Sequence, residues 1–141
     1  MQDDRLIYML AMAHLAVRAH IGSEFLREGI KVTLPQATVL FLLQEKDGRI
    51  LSEIGQVIGV DNSAVTGLAD RLERAGYVAR MPNPGDRRVW HLHITPQGRD
   101  EAQKASGVVR KVNAEFKSGF SEQDLEGFKR VLKGFHQKFR K

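Results

Sequence analysis

The chain of 141 residues contains no cysteine, so disulfide bonds, cysteine-ligated zinc sites and thiol redox sensing are excluded. It also lacks a long apolar run: the longest, Val39 to Leu43, is far too short to cross a bilayer. Asp3 and Asp4 stand where a secretory signal carries basic residues before an apolar segment. These absences predict a cytoplasmic protein that has no membrane partner.

Acidic residues are fewer than basic ones, 17 against 22, which gives a net charge of +5. This balance favours a polyanionic partner, with nucleic acid first and an anionic membrane surface second. The hydrophobic content of 42% is ordinary for a folded protein. The length fits one domain, or one domain with a helical extension.

Helical spacing of apolar residues dominates the first part of the chain. One long helix is predicted from about Arg5 to Glu28, with an apolar face wider than a small core needs, and Gly29 ends it. Thr33 is the predicted N-cap of a second helix, with Gln36 at the capping-box position and Pro35 in the first turn. The first helix therefore keeps apolar surface for a further partner.

A short helix, a tight turn and another helix are predicted next. The short helix covers Leu51 to Ile58 and is broken by Gly59. Asp61 or Asn62 caps the following helix, which reaches about Ala75. The predicted inward residues of these two helices are Ile54, Val57 and Ile58 in the first and Val65, Leu68, Ala69 and Leu72 in the second.

The period then changes from helical to alternating. Tyr77–Met81 and Val89–Ile94 are predicted strands of a β-hairpin, joined by a proline-rich, charged tip at residues 82–88. Thr95-Pro96 opens a long helix, and Ser121 caps the last one. The apolar stripe of that last helix consists of Leu125, Phe128, Leu132, Phe135 and Phe139.

This order of elements predicts a mainly α-helical winged helix-turn-helix with a two- or three-stranded antiparallel wing. The major groove of DNA admits one α-helix, and a hairpin beside it can reach the minor groove, whose negative potential attracts arginine. In Asp86-Arg87-Arg88 the acid can orient one guanidinium while the other projects. The predicted DNA-binding residues are Asn62, Ser63, Thr66, Arg71, Arg74, Asp86, Arg87 and Arg88.

A family resemblance is carried by four motifs in order: Thr33–Leu40, Val60–Thr66, Asp70–Val78, and Asp86–Arg88 followed by Leu92–Gly98. On these motifs the chain resembles the MarR family of multiple-antibiotic-resistance-type transcriptional regulators over nearly its whole length. The resemblance implies a homodimer, joined through its first and last helices, that binds a pseudopalindromic operator in double-stranded DNA. A repressor is the implied form of regulation.

The resemblance also implies roles for single residues. The arginine that matches Arg88 enters the minor groove, and the acid that matches Asp86 helps to position it. Gly67 departs from the pattern, because many relatives carry a longer polar or basic residue there, so base contacts are not expected from it. The positions that face the major groove or its phosphates match Ser63, Thr66 and Arg71.

Both ends of the chain carry more apolar helix surface than one small winged domain can cover. A dimer interface is therefore predicted, with an intramolecular helical cap as the alternative. The predicted domains are a dimerisation helix at residues 1–32, a winged DNA-binding region at 33–99 and dimerisation helices at 100–141. The C-terminal aromatic residues that this interface would use are Phe116, Phe120, Phe128, Phe135 and Phe139.

An effector site is implied by the resemblance, between the dimerisation helices and the winged unit, for a small aromatic or anionic compound. Binding of this compound would change the spacing of the two recognition helices and lower the affinity for the operator. No spacing of residues identifies the ligand. The candidate lining residues are Met9, Met12, His14, Arg18 and Phe41.

His91 and His93 alternate on one predicted strand, but no acid or cysteine completes a metal set, so exposed strand histidines are expected. The sequence offers neither a nucleophile–base pair in a suggestive context nor a phosphate-cradling glycine loop. The chain is therefore predicted to use no metal or cofactor and to have no enzymatic activity. A winged-helix protein-interaction module and a metal-responsive regulator are the alternatives.

Overall fold

The computed structural model describes residues 4–140. The chain divides into two compact units, the first ending at Val108 and the second beginning at Val109. Helices dominate the described residues, and a small antiparallel sheet lies in the first unit, so the predicted mainly helical class is confirmed. In chain order the elements are α1 (Leu6–Arg27), α2 (Leu34–Glu45), β1 (Arg49–Ile50), α3 (Leu51–Ile58), α4 (Asn62–Arg74), β2 (Val78–Asn83), β3 (Asp86–Ile94), α5 (Pro96–Lys117) and α6 (Glu122–Phe139).

Helix α1 is mostly exposed. Only its C-terminal part enters the core, through Ile21 and Phe25, and Gly29 follows it at a φ of 73°. Its 22 residues contain an 18-residue window of mean hydropathy 1.2, which is long and apolar enough to cross a membrane. This corrects the expectation that no segment reaches that threshold, because periodic apolar residues supply the hydropathy without an unbroken run. Length and composition alone are weak evidence for a span, since core helices pass the same test.

Helix α2 begins with the predicted capping box. Thr33 Oγ1 accepts a hydrogen bond from the Gln36 backbone N–H at 3.3 Å, and Gln36 Oε1 accepts one from the Thr33 N–H at 2.9 Å. Pro35 lies in the first turn, where its missing N–H leaves no helical hydrogen bond unmade. The helix is central to the core, and its buried residues are Ala37, Val39, Leu40 and Leu43.

Helices α3 and α4 pack closely around a glycine turn. A Cβ on Gly55 would lie 3.1 Å from the Val60 carbonyl oxygen and 3.4 Å from Val65 Cγ1, so a side chain there would push the two helices apart. Gly59 ends α3 at a φ of 76°, as predicted. Asp61 is the N-cap of α4, because its carboxylate accepts a hydrogen bond from the Ala64 N–H at 2.8 Å.

The predicted inward face of α3 is partly wrong. Ile54 is buried and Ile58 is half-buried, but Val57 is 46% exposed. The buried face is centred between Ile54 and Gly55, and at about 100° per residue Val57 lies roughly 110° away from that centre. On α4, Val65, Ala69 and Leu72 are buried as predicted, and Leu68 lies half-buried at the edge of the same face.

The sheet has the strand order β1-β3-β2, and both pairings are antiparallel. The two-residue β1 supplies the third strand. Leu92 and Ile94 of β3 are buried, whereas Trp90, on the same face by its pairing with Pro82, is 41% exposed. The sheet therefore closes over the core at its base and extends beyond the core at its tip.

The predicted seven-residue tip is wrong, because the strands extend into it and leave a two-residue turn, Pro84-Gly85. Asn83 pairs with Asp86, but the next pair is Pro82 with Trp90. Arg87, Arg88 and Val89 thus have no register partner on β2 and form a bulge in β3. We call residues 87–89 the wing bulge. Bulges redirect the side chains of a strand.

The second unit consists of the end of α5 and the whole of α6. Ser121 caps α6 as predicted, since its Oγ accepts a hydrogen bond from the Asp124 N–H at 3.1 Å. Phe116 stacks on Phe128 with ring centroids 5.7 Å apart, beside an open cavity of about 490 Å³. No residue of α6 is buried, so its predicted apolar stripe stays partly open to solvent in this chain.

Candidate nucleic-acid interface

The outward face of α4 is set by its buried one. At about 100° per residue, Ser63, Thr66, Asp70 and Arg74 lie opposite the core within roughly 80° of one another. Asn62 and Arg71 flank this stripe on opposite sides. All of the predicted contact residues on α4, namely Asn62, Ser63, Thr66, Arg71 and Arg74, are exposed.

A charged cluster joins α4 to the hairpin, and sequence reasoning missed it. Arg80 on β2, with a side chain that is 22% exposed, pairs with Asp70 and, at 3.3 Å, with Glu73. The Arg80 backbone N–H also donates to Glu73 Oε2 at 3.1 Å. Burial works to lower the pKa of Arg80, but the hydrogen bonds that Arg80 donates to Asp70 and Glu73 outweigh it and raise that pKa above its ordinary value. Asp70 is therefore paired with Arg80 within the protein, and the other residues of the outward stripe of α4 are uncharged or basic.

One sequence signal for this cluster existed. Arg80 alternates with Val78 on β2, and both pair across the sheet with buried residues of β3. A charge on the inner face of a strand needs a partner, because an isolated buried charge is strongly unfavourable. The spacing from Asp70 to Arg80 crosses a helix end and a turn, however, so no local pattern names that partner.

The wing bulge carries two of the exposed predicted contacts, Arg87 and Arg88. Asp86 Oδ1 accepts hydrogen bonds from the Arg88 backbone N–H at 3.0 Å and from Arg88 Nε at 3.3 Å. The backbone bond first, and the side-chain bond second, lower the pKa of Asp86 below its ordinary value. Arg88 is oriented in this way while its side chain stays 91% exposed, and Arg87 is also exposed. The acid thus orients the second of the two arginines.

The predicted effector residues are not all brought together. A cavity of about 310 Å³ lies beside α1 and the start of α2, and Arg18 is the one predicted residue on its wall. Met9, Met12 and His14 are exposed on α1, and Phe41 is half-buried on α2. The other residues that line the cavity are Gly22, Phe25, Leu26, Ile30, Val32, Thr33, Leu34 and Pro35.

The two strand histidines are half-buried and partnered, which corrects the expectation that they are exposed. His91 hydrogen bonds to the Gly48 carbonyl oxygen and to Asn83, while His93 Nδ1 lies 3.6 Å from Asp47 Oδ2. Within residues 4–140, no group of three or more histidine, cysteine, aspartate or glutamate side chains could hold a metal ion.

A helix whose outward end is polar and then basic, next to a hairpin with exposed arginines, has the dimensions and charge to enter adjacent DNA grooves. Burial in the core holds α4 in place, and the Asp70–Arg80–Glu73 cluster holds the hairpin beside α4. These features define the class of winged helix-turn-helix DNA-binding proteins.

Comparisons with known proteins give the family. The sequence model of the MarR family matches residues 32–90. The HTH-type transcriptional repressor MdtR of Bacillus subtilis is 32% identical over 124 residues, which cover 86% of this chain and 80% of that protein. The chain belongs to the MarR family, and it is a DNA-binding transcriptional regulator.

Solved structures share the fold. A MarR-family regulator from Rhodococcus sp. RHA1 superposes with a TM-score of 0.83 at 22% identity, covering 94% of this chain and 92% of that one. CouR from Rhodococcus jostii RHA1, crystallised with p-coumaroyl-CoA, superposes with a TM-score of 0.80 at 23% identity, again over 94% of this chain and 92% of that one. The predicted winged helix-turn-helix fold is thereby confirmed.

Proposed function

We propose that this protein is a homodimeric repressor that binds a pseudopalindromic operator, with α4 in the major groove and the wing bulge in the minor groove. The observation that carries the proposal is the exposed Arg88 side chain, held by Asp86 at the edge of a bulge beside α4. A narrow minor groove attracts an arginine that can be inserted at little cost in ordering. The Bacillus relative MdtR is itself named a repressor, which supports this sign of regulation.

The face of α4 suits close approach to base edges. Asn62, Ser63 and Thr66 are short hydrogen-bonding side chains near the leading end, where a recognition helix meets the bases. Arg71 and Arg74 lie further along and reach phosphates. Asp70 does not oppose this approach with a free negative charge, because Arg80 neutralises it.

A second copy of this chain is the proposed partner of the exposed apolar helices. Leu6, Leu10 and Leu15 are among the exposed apolar residues of α1, and α6 has no buried residue. A bilayer is the other candidate environment for α1. It is disfavoured because Arg18 lies near the middle of the helix, and a charged residue at the centre of a membrane span costs about 3 kcal/mol. Light scattering without detergent should give twice the chain mass, and a stable monomer would contradict the proposal.

A small aromatic or anionic effector is the proposed ligand that releases the operator. CouR, which shares the fold, binds p-coumaroyl-CoA in its crystal structure. In this chain Arg18 lines an otherwise mostly apolar cavity, so it can pair with an anionic group while the apolar wall accepts a ring. Met12, His14 and Phe41 are further candidates. Release requires that the effector bind more tightly to the conformation that fits DNA poorly.

The protein acts in this proposal by binding alone, without catalysis, in the cytoplasm where its operator lies. Selection of bound duplexes from a random DNA pool tests the function directly. The selected duplex should contain an inverted repeat, and its affinity should fall about 100-fold or more between about 50 and about 200 mM salt, because several arginines displace counterions. Equal affinity for the selected duplex and for heparin would refute the proposal and leave a protein-interaction module.

A further inference from the structure

A chain of three hydrogen bonds connects the body of the first unit to the turn of the wing. His91 Nδ1 lies 2.7 Å from the Gly48 carbonyl oxygen. His91 Nε2 lies 3.0 Å from Asn83 Nδ2. Asn83 Oδ1 in turn accepts a hydrogen bond from the Gly85 N–H at 2.8 Å, within the Pro84-Gly85 turn. The chain thus runs from the α2–β1 connection, across β3 and β2, to the tip.

Gly48 and Asn83 determine the protonation state of His91 that these hydrogen bonds require. A carbonyl oxygen only accepts, so His91 Nδ1 carries a proton and donates to Gly48. The amide nitrogen of Asn83 only donates, so His91 Nε2 must carry a lone pair and accept. The neutral Nδ1–H tautomer satisfies both bonds, and it leaves the Asn83 oxygen free to accept from Gly85.

These hydrogen bonds span the wing bulge. Asn83 precedes the bulge on the partner strand, and His91 follows it on β3, two residues after Val89. The His91–Asn83 bond therefore closes the sheet across the segment that has no register partner. We propose that His91 is a positioning residue for DNA binding, which acts through Asn83 to hold the wing bulge and its arginines, Arg87 and Arg88, in a fixed orientation. The inference rests on the proposed function and deepens it.

Protonation of His91 would break this series of hydrogen bonds. The imidazolium donates from both nitrogens, so the Nε2–H would face the Asn83 amide donors. Asn83 could turn its oxygen towards the ring, but its nitrogen would then face the Gly85 N–H. Either arrangement loses one hydrogen bond next to the turn of the wing. Histidine in general is the side chain whose charge changes between about pH 5 and 8, so the hydrogen bonds are tested over that range.

The imidazole of His91 is the one ionisable group among these hydrogen-bonded residues, and the charged groups around it are paired or lie on the other face of the sheet. His93, two residues along the same face of β3, is paired with Asp47 of the α2–β1 connection. The charged residues beside it on the flanking strands are Arg49 of β1 and Arg80 of β2. Both occupy the other face, because their cross-strand partner is a buried leucine.

The first test needs no DNA. In an NMR titration of the full-length protein from pH 7.5 to 5.5, the Gly85 amide resonance should shift with the same midpoint as the His91 ring signals. The same Gly85 titration should be absent in His91→Gln, because a glutamine amide both donates and accepts at any pH in this range. A Gly85 resonance that ignores the His91 titration would overturn the inference.

The second test measures affinity for the duplex selected from the random pool. Lowering the pH from 7.5 to 5.5 should weaken binding by the wild type about fivefold, the effect of losing roughly one hydrogen bond. His91→Gln should change by less than about twofold over this range, and the control His93→Gln should keep the wild-type profile. Asn83→Asp should reverse the sign, because a carboxylate accepts from both the imidazolium and Gly85.

The outcomes separate this inference from the proposed function. If Gly85 follows His91 but the protein prefers no duplex, the hydrogen-bond chain is supported and DNA binding is not. If the selected duplex binds tightly, and wild type and His91→Gln share one pH profile, the regulator stands and the positioning role of His91 is refuted.

Discussion

The two halves of the proposed DNA-binding surface are held in different ways. Helix α4 is anchored by apolar burial, since Val65, Ala69 and Leu72 lie in the core and Gly55 lets α3 pack against it. The wing bulge has no buried residue and no ladder partner, and its Arg88 is oriented by polar contacts with the single side chain of Asp86. The comparison teaches that the position of the helix should resist changes of pH and salt, whereas the position of the wing should respond to the loss of one hydrogen-bonding group.

The largest effect is expected from the anchor of α4. Leu72→Ala should lower the free energy of unfolding by about 2–5 kcal/mol, because it leaves a cavity at a fully buried position. Urea unfolding followed by circular dichroism measures this, with the half-buried Leu68→Ala as the smaller-effect control. Equal losses in the two variants would mean that α4 is not held by its buried face.

The next largest effect should come from the wing without any loss of stability. Arg88→Ala should weaken binding to the selected duplex about 10- to 100-fold, the range for one well-placed arginine contact with DNA. Its unfolding curve should match that of the wild type, because the side chain is 91% exposed. Arg110→Ala on α5 removes the same charge from another exposed position and should retain most of the affinity; a matching loss there would point to a nonspecific effect of net charge.

The Asp70–Arg80 ion pair, which joins α4 to the hairpin, should contribute a smaller but measurable coupling energy to stability. In a double-mutant cycle of Asp70→Asn and Arg80→Gln, the coupling energy in unfolding should be about 0.5–1 kcal/mol. The acids are nearly half exposed, so solvent screening keeps this value below that of a buried pair. A coupling energy of zero would show that packing alone keeps the hairpin beside α4.

The smallest effect concerns the acid that orients Arg88. Asp86→Asn should weaken operator binding by roughly threefold, because an amide still accepts the backbone bond but loses the charge-assisted one. The pKa of Asp86 is lowered by the backbone and side-chain bonds from Arg88, so its contribution is complete above about pH 3.8, the unperturbed value, and is lost only as the pH falls through the lower folded value. Affinity measured from pH 5.5 to 7.5 should therefore show the same pH dependence in Asp86→Asn and in the wild type. A flattened profile would assign the titration to Asp86 rather than to His91.

Local signals predicted the helices well. The capping box of Thr33 and Gln36, the Asp61 cap and the glycine stops depend on residues within one turn of each other, so the sequence displays them directly. The exposed face of α4, which carries the predicted DNA-binding residues, followed from the same periodicity. Val57 was misassigned because a helix of eight residues is too short for its apolar pattern to locate the centre of the buried face.

The wing was predicted in outline only. Its bulge depends on which residues of β2 and β3 pair, and that register is a property of two strands together. The Asp70–Arg80 pair and the His91–Asn83 bond likewise join residues that lie on different helices or strands. Such contacts are selected by the folded arrangement, so a pattern in one segment cannot indicate them.

Trp90, exposed beside the wing bulge, is the only tryptophan of the chain. When it is excited outside the absorption band of Tyr8 and Tyr77, its indole is therefore a built-in fluorophore that reports on the hairpin. Emission intensity and anisotropy in unlabelled protein would follow hairpin motion and operator docking in real time, and the absence of cysteine leaves any dye site to be chosen freely.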